Sequence, residues 1–103
     1  MLAEFSITPI GKGSHLSKEV AKAVRIVKES GLDYQLTAMG TLLEGGSWEE
    51  VMGVIQKAHQ AILADNERVY TRVTIDQFHV ESANRIRSKV TKIEAELGVA
   101  LKK

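Results

Sequence analysis

The densest run of groups able to do chemistry is Tyr34-Gln35-Leu36-Thr37-Ala38-Met39-Gly40-Thr41-Leu42-Leu43-Glu44-Gly45. It sets two hydroxyls, Thr37 and Thr41, and one carboxylate, Glu44, around a single turn. Each hydroxyl both donates and accepts a hydrogen bond. Glu44 can hold a protonated ring nitrogen or offset a cation. The set suits recognition of a small polar ligand, and nothing in it selects a general acid or base. Other candidates are weaker. Gly11-Lys12-Gly13-Ser14-His15 stands where a loop enters a helix, and amides at such a place hold anions generically. It matches neither the phosphate-loop consensus nor the dinucleotide fingerprint, and as a turn and cap it needs no function. His15, His59 and His79 form no i,i+4 pair and the chain has no cysteine. A metal site would have to be assembled from distant elements. His59 reads as a surface or boundary residue and His79 as a hydrogen-bonding turn residue. Trp48 at a helix start reads as a core wedge.

These residues must be positioned by short elements. Residues 2–9 alternate Phe5 and Ile7 with Glu4, Ser6 and Thr8, the period of a half-buried strand that Pro9 should end. Leu16, Val20, Val24 and Val27 predict a helix over 17–30, capped by Ser14 or Ser17 and closed by Gly31. Residues 33–38 and 41–44 read as two strands, with Met39-Gly40 the tight turn between them. Ser47-Trp48-Glu49-Glu50 is a capping box that opens a helix to about residue 64. Val69, Thr71, Val73 and Ile75 predict a strand over 69–76. Ile86, Val90, Ile93 and Leu97 give a narrow stripe on a third helix over 80–97, which Gly98 can end.

The order β-α-β-β-α-β-α contains two βαβ units of similar length. That is the split βαβ arrangement: an α+β, ferredoxin-like βαββαβ fold with a four-stranded antiparallel sheet and a C-terminal third helix. Right-handed crossovers put the first two helices on one face. Phe5, Ile7, Leu36, Ala38, Val73 and Ile75 suit that face. Glu4, Ser6, Thr8, Gln35, Thr37, Tyr70, Arg72 and Thr74 belong to the other, with Leu42 and Glu44 together on one side by period 2. Glu4 is a plausible cross-strand partner for Arg72. A bare polar face is compatible with plain solvation. A ligand site there needs walls, and a second sheet packed about 10 Å away would supply them, so a ligand reading predicts a homo-oligomer. The third helix either joins that interface or covers a sheet edge of its own subunit.

The chain has 103 residues, 14 Lys+Arg against 13 Asp+Glu and a formal net charge of +1. That length makes one domain, residues 1–103, with one core. Balanced charge gives no reason to expect nucleic acid. No apolar run reaches the ~20 residues that cross a bilayer, so no membrane partner is expected. The first residues lack the pattern of a signal peptide, and a cytoplasmic location is expected.

Ser6-Ile7-Thr8-Pro9-Ile10-Gly11, then Ser17 and Val20, then Tyr34 and Gly40-Thr41-Leu42-Leu43-Glu44-Gly45, resemble the small ferredoxin-like thiamine-binding protein family. The resemblance covers essentially the whole chain. It implies cytoplasmic, non-catalytic binding of thiamine or a hydroxymethylpyrimidine-like aminopyrimidine; from the residues, no cofactor and no metal are expected. It also implies assembly through the sheets, as a homodimer or homotetramer. Carried over residue by residue, it puts ligand binding on Ser6, Thr8, Thr37, Gly40, Thr41 and Glu44. The residue chemistry is compatible: hydroxyls suit an aminopyrimidine, and a carboxylate or an aromatic face suits a thiazolium. Two alternatives stay open. One is a structural or regulatory homo-oligomeric module without a ligand. The other is an enzyme with Glu44 or Glu4 as base, which would need a raised pKa that the sequence does not indicate.

Overall fold

The computed structural model describes residues 1–14 and 16–103; His15, one of the histidines weighed above, lies outside the described residues. The chain folds as β1 (Leu2–Pro9), α1 (Ser17–Glu29), β2 (Asp33–Leu36), β3 (Thr41–Glu44), α2 (Trp48–Leu63), β4 (Val69–Asp76) and α3 (Arg85–Leu97). The sheet order is β2-β3-β1-β4, with every neighbouring pair antiparallel. This is the α+β, ferredoxin-like arrangement that the element order predicts.

Register decides which side chains share a face. Ala3 stands opposite Leu43 and Ile75, and Phe5 opposite Thr41 and Val73. Directly opposed residues point the same way, so this set lies on one side. That side meets Val27 of α1 and Val51 and Ile55 of α2, and the resulting core includes Met1, Ala3, Phe5 and Leu43. A second cluster, Ala23, Ala58 and Ile62, joins the two helices over Ile7 and Val69. Burying each large aliphatic side chain stabilises the fold by about 1.5–3 kcal/mol.

Local chemistry explains where the elements start and stop. The Ser47 hydroxyl accepts from the Glu50 amide at 3.2 Å, as the capping box requires. The Glu50 carboxylate reaches back one residue further than expected, to the Gly46 amide at 3.1 Å. Trp48 is half-exposed rather than wedged into the core, because it sits on the outer side of that first turn. Neither Ser14 nor Ser17 caps α1: the residue before the helix is Leu16, with no side-chain bond. Gly31 and Gly98 take positive φ of 79° and 73° just past their helices, the left-handed geometry that favours glycine.

β2 ends at Leu36, not at residue 38. Thr37 turns the chain by donating from its amide and its hydroxyl to the Gly40 carbonyl, each at 2.8 Å. α3 begins at Arg85, later than the stripe suggested. The preceding turn is closed by the Phe78 amide on the Glu81 carboxylate at 3.0 Å, and the Arg85 guanidinium lies 4.5 Å from the Phe78 ring centre.

Candidate functional site

Two neighbouring strands of unequal reach make a notch in the sheet. β3 begins at Thr41, opposite Phe5, while β1 runs on to Pro9. Residues 6–9 therefore have β4 on one side and no strand on the other. The Ile10 amide donates to the Arg68 carbonyl on the β4 side, and the Met1 carbonyl accepts from the Gly45 amide on the β3 side. Backbone groups alternate along a strand, so those of Ile7 are aimed at the place where β3 is missing.

The 37–40 loop curls into this gap. A Cβ on Gly40 would lie 3.0 Å from the Phe5 carbonyl oxygen and 3.4 Å from Cγ of Glu4, so the close approach favours glycine. The Thr37 hydroxyl holds the loop shape, accepting from the amides of Met39 at 3.2 Å and Gly40 at 3.1 Å. Between the loop, β1 and α1 lies a cavity of about 200 Å³. Ser6, Thr8, Thr37, Gly40 and Thr41 all line it. A gap in the sheet lets residues of both faces meet: Ser6 and Thr8 come from the face away from α1 and α2, Thr41 from the face towards them.

Five of the six candidate residues thus share one cavity, and Glu44 does not. It sits at the far end of β3, 7% exposed, on the opposite face from Leu43. Its carboxylate accepts from the amides of Arg85 at 2.8 Å and Ile86 at 3.1 Å, the first residues of α3. Asp33 stands opposite Glu44 and takes a two-pronged bond from Arg87, at 2.5 and 3.1 Å. The Arg87 guanidinium holds the Asp33 carboxyl below its ordinary range, and the carboxylate in turn raises Arg87. α3 therefore covers one corner of the sheet face that the sequence left open. Arg72 stands opposite Ser6, not beside Glu4, and makes no ion pair among the described residues.

The cavity wall also includes residues that period alone assigned to the core. Leu16, Val20, Ala23 and Val24 of α1 line it, together with Leu36 and Met39. Val20 is 40% and Met39 85% exposed. No periodicity signal separates these wall residues from the core residues of the same α1 stripe. Among the described lining residues there is no acid, imidazole or amine. The hydroxyls of Ser6, Thr8 and Thr41 make no side-chain hydrogen bond among the described residues, whereas that of Thr37 is taken up by its own loop. Hydroxyl-bearing residues and an apolar wall thus line one cavity. His59, outside it, bonds through Nδ1 to the Thr71 hydroxyl at 2.6 Å and ties α2 to β4.

Known proteins share this architecture. A family model described as thiamine-binding protein matches residues 3–94. A UPF0045 protein of Mycobacterium bovis is 42% identical over 76 residues, 74% of each chain. The crystal structure of a hypothetical protein from Methanocaldococcus jannaschii superposes with a TM-score of 0.79 at 37% identity, covering 89% of this chain and 93% of that one. A putative thiamine biosynthesis/salvage protein from Thermotoga maritima has the same fold, with a TM-score of 0.76 at 20% identity over 89% of this chain and 96% of that one. The chain belongs to the thiamine-binding protein family.

Proposed function

We propose that this protein binds thiamine, or its aminopyrimidine moiety alone, in the notch between α1 and the 37–40 loop, and does no chemistry on it. One observation carries the reading: Ser6, Thr8 and Thr41, which carry hydroxyls, line a single cavity together with Leu16, Val20 and Val24. An aminopyrimidine presents donors and acceptors around its edge and two apolar faces. Hydroxyls match the edge because each can serve as either partner. The aliphatic wall of α1 matches a face. At about 200 Å³ the cavity is smaller than the roughly 300–1,000 Å³ of pockets that enclose drug-sized ligands. It suits one ring, with the thiazolium outside. The absence of any acid or base among its described lining residues favours binding over turnover. Glu44 is given a structural part instead, because its carboxylate is held by the α3 amides. The protein works as a homodimer or homotetramer in the cytoplasm, with a second copy closing the side of the notch where Ser6 and Thr8 lie.

Calorimetric titration with thiamine and with hydroxymethylpyrimidine tests this. Both should bind, and Thr41→Val should weaken each about threefold to tenfold, the loss of one neutral hydrogen bond. No heat from either ligand at millimolar concentration would overturn the proposal.

A further inference from the structure

The notch does not end at the 37–40 loop. Val20, Val24 and Leu36 line it and also line a second, more open groove of about 750 Å³ between α1 and β2. The two cavities adjoin at these three side chains, a shared apolar waist. Val20 and Leu36 are 40% and 52% exposed there, so the waist is uncovered apolar surface. The far end of the groove changes character: Arg25 and Lys28 stand on it, with Glu29. Neither cation makes an ion pair among the described residues. From Val20 to Lys28 is eight residues of helix, about 12 Å at 1.5 Å each.

We propose that this groove takes the phosphate-bearing arm of a phosphorylated thiamine, with the thiazolium over Val20, Val24 and Leu36 and the phosphate between Arg25 and Lys28. The inference rests on the pyrimidine lying in the notch, and it extends that reading to the class of ligand. Across the two adjoining cavities the lining changes from hydroxyl-bearing residues to aliphatic surface to cations, the order of ring edge, ring face and anion in such a molecule. Two full positive charges face one carboxylate, so the end of the groove favours a dianion on balance. The α1 C-terminus opposes an anion only weakly. Two carbonyls of its last turn are engaged by Ser30, whose amide bonds Ile26 and Val27 at 3.1 Å and whose hydroxyl bonds Val27 at 2.5 Å.

The test compares thiamine, thiamine diphosphate and hydroxymethylpyrimidine by calorimetry at low and high salt, in the unaltered protein and in Arg25→Ala/Lys28→Ala. The diphosphate should bind about tenfold more tightly than thiamine at low salt, as exposed charge pairs allow. That advantage should shrink at high salt and vanish in the double variant, while hydroxymethylpyrimidine affinity stays within about twofold. Glu29→Gln should enlarge the advantage. Equal affinity for thiamine and its diphosphate, or a preference that survives the double variant, would overturn the inference and leave the notch reading standing. If thiamine and hydroxymethylpyrimidine both fail to bind, the notch reading falls and this inference falls with it.

Discussion

Thr41 and Glu44 stand three residues apart on one four-residue strand and face opposite sides of the sheet. Odd spacing along a strand makes that unavoidable. What separates Glu44 from the cavity is its place at the far end of β3, away from the gap where residues of both faces meet. What sequence could not show is which buried donor would claim the Glu44 carboxylate. Its partners, Arg85 and Ile86, lie 41 and 42 residues away. Glu44→Ala should leave two α3 amides without an acceptor in a buried place, at a cost of about 2 kcal/mol. In a domain of this size that lowers the melting midpoint by roughly 8–16 °C. Amide exchange at Arg85 and Ile86 should accelerate, while hydroxymethylpyrimidine affinity stays within about twofold. Gly40→Ala should cost both stability and binding. Its Cβ, 3.0 Å from the Phe5 carbonyl, pushes the loop off β1. Overpacking of that sort costs about 1–3 kcal/mol, and calorimetry should show ligand affinity falling with it.

Elements were more legible than their ends. β1, β3 and β4 fall where alternation put them, because each is bounded by Pro, Gly or Asp-Asn chemistry that a reader can see. α3 starts at Arg85 rather than near residue 80 because the Glu81 carboxylate closes a turn on the Phe78 amide and Asn84 takes a positive φ of 62°. The position of α3 was open as well, since a stripe of Ile86, Val90, Ile93 and Leu97 names a face but not what covers it. The structure divides that stripe: Ile86 is buried, while Ile93 and Leu97 stand exposed. The docked half is held by Glu44 and by the Asp33–Arg87 pair. Asp33 has its pKa lowered in the fold, so its contribution is complete above the ordinary carboxylate value and is lost as pH falls through the lowered one. The Asp33 part of α3 docking should therefore be insensitive to pH from 7 down to about 4 and should weaken below that. Amide exchange in α3 followed against pH reads this. Arg87→Met should remove the part of the acid response that belongs to Asp33. Both side chains are substantially exposed, so 1 M salt should also shrink that part.

At the scale of the whole molecule, the surface is too large for the mass. Globular scaling gives roughly 5,700 Å² for a chain of this size. The accessible surface is 7284 Å², and the principal extents are 47 × 29 × 21 Å. Part of the excess is the distal half of α3, with Leu97 58% and Val99 60% exposed. Part is the sheet face that α3 leaves bare, where Tyr70, Arg72 and Thr74 of β4 stand exposed beside Ser6 and Thr8. A stable interface buries about 800 Å² per partner, and this chain has that much surface beyond what a sphere-like monomer would show. If a second copy covers the bare face, Arg72 and its symmetry mate enter an interface that also closes the notch. Arg72→Glu then changes the charge at that interface without touching the core or the channel along α1. Light scattering should report a multiple of the 11.3 kDa chain for the unaltered protein and a shift towards the single chain for the variant. Calorimetry on the same samples should show hydroxymethylpyrimidine affinity falling in step with the loss of assembly. Unchanged affinity in a single-chain variant would mean that one copy completes the site by itself, and the role given to the partner would be wrong even though the notch were right.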